Sequence, residues 1–162
     1  MFSSSPQAGE DDGYIISVSK NGMVKRSQLC ELPGPSANLF TLVKINDDDA
    51  LCTVLFTKGA ENIILVTRDG MGICFSEEEA RPMGLVAAGV GGIKLRDDDC
   101  VIGAGVATGR GEILLVTNRG KAKRMKTSLF PTQGRYGYGV ISWKLPDEER
   151  IVGMLIGLLT HN

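Results

Sequence analysis

Five cations crowd into eight residues of the chain: "RGKAKRMK" holds Arg119, Lys121, Lys123, Arg124 and Lys126. Cations at that density act on polyanions, because neutralising a row of phosphates releases their condensed counterions. Arg135 follows shortly after, inside the glycine-dense "QGRYGYG". The overall charge of −1 hides this asymmetry. Residues 113–162 carry 8 Lys and Arg against 3 Asp and Glu, whereas residues 63–112 carry 5 against 8. A second basic dipeptide, Lys25–Arg26, occupies the place in residues 14–62 that Lys123–Arg124 holds in residues 113–162. Ile73 and Cys74 take that place in the middle of the chain. Cations recurring from unit to unit would form a ridge on an outer rim that a phosphate backbone could follow. The competing reading is a solvated strand face whose lysines discourage edge-to-edge association.

Bond-making chemistry has little support. The one histidine, His161, sits beside the C-terminus, which removes the usual general base. The cysteines (Cys30, Cys52, Cys74 and Cys100) form no CxxC pair and read as free thiols, so neither a zinc site nor any cofactor is expected. Consecutive carboxylates such as Asp97, Asp98 and Asp99 diverge from a turn and lack the spaced ligand set of a calcium loop; they read as solvated turns. No catalytic residue is assigned.

The elements that must position these cations are repeated. "IILVTRDGMG" from Ile63 returns as "ILLVTNRGKA" from Ile113 and, more weakly, as "YIISVSKNGMV" from Tyr14. A second landmark, "VKINDDDAL", "IKLRDDDCVIG" and "WKLPDEERIVG", places Lys44, Lys94 and Lys144 at intervals of 50 residues. Short runs rich in β-branched residues, broken by "NG", "DG" and "RG", predict hairpins. "VISWKL" and apolar runs such as "IVGMLIGLLT" predict further strands, and that last run is too short to span a membrane. The predicted fold is all-β: three four-stranded, propeller-like blades of about 50 residues each, sharing interfaces. Residues 1–13 are acidic and polar and read as a flexible lead-in; residues 14–162 form the domain, with repeats 14–62, 63–112 and 113–162. No signal peptide is evident, which predicts a cytoplasmic chain.

The stretches "ILLVTNRGKAKRMKTSLF" and "RPMGLVAAGVGGIKLRDDDCVIGA" resemble repeats of the C-terminal domain of the DNA gyrase A subunit, and of its topoisomerase IV relative. The resemblance covers residues 14–162. It implies a β-pinwheel whose blades exchange strands and whose basic rim bends duplex DNA. The expected partners are double-stranded DNA, the rest of a topoisomerase A subunit and its ATPase B subunit, with no membrane and with a nucleoid-associated location in the cytoplasm. Three repeats also leave room for a homodimer. The catalytic tyrosine domain of that family is absent, so the chain is expected to be an accessory module and no enzyme by itself.

"QGRYGYG" resembles a degenerate form of the gyrase A-box, Q-R-R-G-G-K-G. Gln133, Arg135, Gly137 and Gly139 match, while Gly134, Tyr136 and Tyr138 replace an arginine, a glycine and the lysine. The glycines would let backbone approach a phosphate closely; the alternative is a glycine-rich link between neighbouring blades with no DNA contact. The expected DNA contacts are Lys25, Arg26, Arg81, Arg119, Lys121, Lys123, Arg124, Lys126 and Arg135. Glu77, Glu78 and Glu79 would repel DNA nearby or pair with Arg81. The function so implied is sequence-independent binding and bending of duplex DNA for a type IIA topoisomerase. The alternative is a divergent pinwheel that serves protein interaction and has lost DNA wrapping.

Overall fold

A computed structural model describes residues 13–158; the expected lead-in before Gly13, and His161, lie outside them. Among these described residues, eleven strands build three antiparallel sheets. The first sheet contains β1 (Tyr14–Ser19), β2 (Met23–Gln28), β3 (Leu51–Thr57) and β6 (Val90–Gly91) in the order β3-β1-β2-β6. The second contains β4 (Asn62–Thr67), β5 (Met71–Ser76), β7 (Val101–Ala107) and β10 (Val140–Ile141) in the order β10-β5-β4-β7. Only three strands form the last: β8 (Glu112–Thr117), β9 (Ala122–Lys126) and β11 (Ile151–Gly157), in the order β11-β8-β9.

Each hairpin is set locally. Gly22, Gly70 and Gly120 lie at positive φ, which glycine adopts without a Cβ clash. The residue ending each first strand also secures the turn: Ser19, Thr67 and Thr117 accept from the N–H of Met23, Met71 and Lys121. One register shift recurs in every blade, after Val18, after Val66 and between Ile151 and Gly153. The repeat inferred from the landmarks is therefore physical down to its irregularities.

The exchanged strands are the main feature. β6 comes from the second repeat yet completes the first sheet, pairing Val90 with Val24 and Gly91 with Met23. β10 comes from the third repeat and completes the second sheet, pairing Val140 with Gly72 and Ile141 with Met71. Two expectations change here. "VISWKL" is a strand only over Val140–Ile141, because the Ser142 and Trp143 N–H groups both turn to the Gly70 carbonyl. The third blade has three strands rather than four, since the described residues include no later repeat to complete it.

The core lies between blades. Ile63, Ile64, Leu65 and Val66 of β4 are all fully buried. Ile63 and Leu65 face the first blade together with Ile16, Val18 and Val101. Ile64 and Val66 face the third blade with Ile113, Leu115 and Phe130. A continuous apolar run is what a strand covered on both faces requires. Each such side chain contributes roughly 1.5–3 kcal/mol by leaving water, so the middle blade joins the outer two.

Candidate nucleic-acid interface

β9 brings the cation cluster to the edge of the third blade. Arg119 and Lys121 are exposed in and beside the hairpin turn, and Arg124 and Lys126 are exposed along the strand. Lys123 alternates inward, is half-buried, and its Nζ donates to the Ser142 carbonyl at 2.6 Å. Antiparallel pairing sets Lys126 opposite Glu112, and Arg124 forms an ion pair with that same glutamate. The Arg124 guanidinium holds the Glu112 carboxyl below the ordinary glutamate range, with Lys126 adding to the effect. Arg110 lines the same surface depression as Glu112 and Lys126. Sequence reasoning missed Arg110, although its position two residues before β8 would have placed it beside the end of β9.

A second group also escaped notice. Lys94 Nζ lies 5.4 Å and the Arg96 guanidinium 5.1 Å from the centroid of the Tyr138 ring. These distances suit cation–π attraction, which holds two cations over one ring. Lys44, Lys94 and Lys144 are all exposed. The Lys44 N–H donates to the Ala87 carbonyl of the next repeat as the Lys94 N–H donates to Gly137. These lysines mark the repeat in sequence, and they recur on the surface as Lys25 and Arg26 do not.

The expected placement of Lys25 and Arg26 on an outer rim is corrected by the fold. Both sit on β2, which β6 and the segment leading into it (Pro82, Met83 and Gly89) cover, leaving 1% and 6% of these residues exposed. Lys25 Nζ donates to the Leu42 carbonyl at 2.7 Å, the counterpart of the Lys123 bond to Ser142. Burial pushes the Lys25 ammonium pKa down, opposed by Glu31. Arg26 Nε donates to Glu77 Oε1 at 3.1 Å, and its guanidinium stacks 3.9 Å from the Tyr14 ring centroid. Glu77, expected to repel DNA, is instead a buried acceptor. Thr57 Oγ1 and the N–H groups of Gly59 and Glu61 complete its bonds. The pair joins the first blade to the second.

"QGRYGYG" is also largely occupied with protein. Arg135 is half-buried; Nη1 donates to the Gly91 carbonyl at 2.6 Å and Nε to Glu79 O at 3.2 Å. Its backbone N–H donates to the Glu79 carboxylate. Gly139, at φ 81, lies so close to the second blade that a Cβ would fall 2.1 Å from the Gly72 carbonyl oxygen. Its missing side chain serves blade contact. Gln133 donates its backbone N–H to Cys74 O, Gly137 lies against the Gln133 side chain, and the Tyr136 ring covers Gly91. Gly134 is exposed, and Tyr138 meets the two cations already described. The loop links neighbouring blades, and Gly137 and Gly139 serve that contact, while Gly134 stays exposed.

Two smaller expectations resolve similarly. Arg81 is exposed, and among the described residues it forms no ion pair with the neighbouring glutamates. The acidic triplets are only partly solvated turns. Asp99 accepts from the Asp69 N–H, and Glu149 from Thr117 Oγ1, both carboxylates being buried. Their third members close the hairpin of the same blade.

The sequence model of the family described as "DNA gyrase C-terminal domain, beta-propeller" matches residues 13–58, 61–108 and 111–156. The DNA gyrase A subunit of Clostridium acetobutylicum is 42% identical over 149 residues, covering 92% of this chain and 18% of that protein. Its Mycobacterium tuberculosis H37Rv counterpart is 32% identical over 151 residues, with the same two coverages. The chain thus spans less than a fifth of these relatives. Among solved structures, the C-terminal domain of DNA topoisomerase IV superposes with a TM-score of 0.82 at 30% identity, over 93% of this chain and 48% of that one. The Escherichia coli ParC C-terminal domain shares the fold, with a TM-score of 0.71 at 16% identity over 89% of this chain and 62% of that one.

Proposed function

The chain belongs to the family of DNA gyrase C-terminal β-propeller domains, and from that premise we propose that it binds and bends duplex DNA without sequence preference. The observation that carries the reading is the exposed cation group of the third blade: Arg119, Lys121 and Lys126, with Arg110 beside them. Side chains of this kind contact phosphates, which fix position on a duplex without reading its sequence. Lys94, Arg96 and Lys144 extend the positive surface, and exposed Arg81 adds to it. Lys25, Arg26 and the Arg135 guanidinium stabilise blade junctions and stand outside the contact path.

In this reading the chain supplies position and bending, and catalysis belongs elsewhere. Curving about 20–30 bp by about 40–90° costs on the order of 1–6 kcal/mol, which phosphate contacts must offset. The curved segment is guided to the strand-passage core of a type IIA topoisomerase, whose ATPase B subunit is the further partner. The bacterial cytoplasm, at the nucleoid, is the corresponding location.

A topology assay tests this directly. Relaxed plasmid is incubated with the chain at low salt, treated with a nicking-closing enzyme, and deproteinised. The expected result is a linking-number shift that grows with protein concentration and disappears at high salt. No shift, together with no retardation of linear duplex, would overturn the proposal and favour a protein-interaction module.

A further inference from the structure

An exposed arginine beside a carboxylate pairs with it, as Arg124 does with Glu112. Lys94 and Arg96 behave otherwise. Both are exposed, and among the described residues neither forms an ion pair. Carboxylates stand close to them all the same. Asp97 and Asp98 follow Arg96 in the chain, and Asp69 and Asp99 line the same surface depression as Arg96. The two cations are gathered instead over one aromatic ring, with Lys94 Nζ 5.4 Å and the Arg96 guanidinium 5.1 Å from the Tyr138 centroid.

The ring comes from the third repeat, and the backbone delivers it. The Lys94 N–H donates to the Gly137 carbonyl at 2.8 Å, which sets Tyr138, the next residue, beside the segment that carries both cations. At the first junction the same bond runs from Lys44 to Ala87 at 3.2 Å, and the next residue there is Ala88. Asn46 takes the place of Arg96. The second junction therefore has a ring and two cations where the first has neither the ring nor the second cation. Because the first junction forms with alanine at this place, the ring is dispensable to the fold, and Tyr138 is 43% exposed.

A ring and a carboxylate hold a cation with different consequences. An ion pair neutralises the charge, whereas attraction to the ring face leaves it free to meet a phosphate. Long side chains also lose rotamer freedom when a ligand immobilises them, and that loss opposes binding. A ring that orders Lys94 and Arg96 before DNA arrives reduces what remains to be lost.

We infer that Tyr138 is a positioning residue for duplex binding: its ring holds Lys94 and Arg96 together and away from the neighbouring carboxylates, with both charges available to phosphates. This role rests on the duplex binding proposed above. Tyr138 acts through the two cations and not on the duplex itself.

The test uses the full chain, a linear duplex and four variants: Tyr138→Leu, Tyr138→Phe, Lys94→Ala/Arg96→Ala, and that pair combined with Tyr138→Leu. Tyr138→Leu should weaken binding about fivefold or more, through the ordering loss at two side chains. Tyr138→Phe should bind as the native chain does, because it keeps the ring face. Lys94→Ala/Arg96→Ala should lower the log–log salt slope by about 1.8, and adding Tyr138→Leu to it should change affinity no further. Without DNA, proton NMR should show upfield ring-current shifts at the Lys94 ε-methylene and Arg96 δ-methylene, kept in Tyr138→Phe and lost in Tyr138→Leu. Native-strength binding by Tyr138→Leu, or an equal loss from it once Lys94 and Arg96 are gone, would overturn the positioning role while duplex binding stands. Absence of the ring-current shifts in the native chain would overturn it as well. No duplex binding by the native chain would overturn the proposed function and the positioning role with it.

Discussion

Replacing Glu77 with glutamine probes the junction that turned an expected DNA contact into a structural one. The Glu77 side chain is fully buried and accepts from Arg26 Nε at 3.1 Å, Thr57 Oγ1 at 2.7 Å, Gly59 N at 3.1 Å and Glu61 N at 2.9 Å. Glutamine keeps the shape, but it turns an NH2 group toward donors and leaves the buried Arg26 charge unpaired. Removing one partner of a buried pair costs about 3–5 kcal/mol. For a domain of this size that is a fall in Tm of roughly 6–20 °C. Urea unfolding should show a lower midpoint with an unchanged m-value. Arg26→Leu should cost a comparable amount, and the Arg26→Leu/Glu77→Leu double variant should lose at least about 1 kcal/mol less than the sum of the two single leucine variants. A loss below about 1 kcal/mol in both Glu77→Gln and Arg26→Leu would refute the reasoning, because each single change should leave the partner's buried charge uncompensated. So would an Arg26→Leu chain of unchanged stability that binds DNA more weakly; that result would return Arg26 to the contact surface.

Glu112→Gln should strengthen duplex binding, because it frees Arg124 for a phosphate and raises the log–log salt slope by about 0.9. Acidification acts in the same direction. The Glu112 carboxyl has a lowered folded-state pKa, so its pairing contribution is present above the ordinary glutamate value and is lost as pH falls through the lowered one. Duplex titrations at fixed salt and stepwise lower pH read this as rising affinity. Gly139→Ala should destabilise by more than about 1 kcal/mol, since it combines positive φ with a blocked Cβ. Gly134→Ala, with nothing closer than 4.0 Å, should be near neutral in the same thermal melt. In thiol labelling, exposed Cys30 should react first and Cys74 only on unfolding, because burial both shields the Cys74 thiol and pushes its pKa up.

What could be read from sequence was what is local. The turn glycines and the β-branched runs follow from neighbours within one hairpin, and the 50-residue landmarks mark three blades. Exchange is not local. "GVGG" looks like a linker, and "VISWKL" reads as a strand of its own blade, because the pairing partners of both lie in the preceding repeat. The same non-local step explains the misplaced cations. Lys25–Arg26 and Lys123–Arg124 are the same dipeptide in the same blade position, yet the first is covered by second-repeat residues between Glu77 and Gly89 while the Arg124 side chain is 51% exposed. No property of the dipeptide distinguishes them; the arrival of the next repeat does. Arg135 misled for a related reason, since its bonds to Gly91 and Glu79 cross a blade junction. The recurring Lys44, Lys94 and Lys144 were visible throughout, but as a marker of period.

The salt dependence of duplex binding bears most directly on the proposed contact surface. Affinity is measured from about 50 to about 200 mM salt for the native chain and for the Arg119→Ala/Lys121→Ala/Lys126→Ala variant. The variant should fold normally, since all three side chains are exposed. The account expects its slope to fall by about 2.7, so that its affinity changes roughly 40-fold less than the native chain's across that range. Equal slopes for the two proteins, or native binding indifferent to salt, would contradict it.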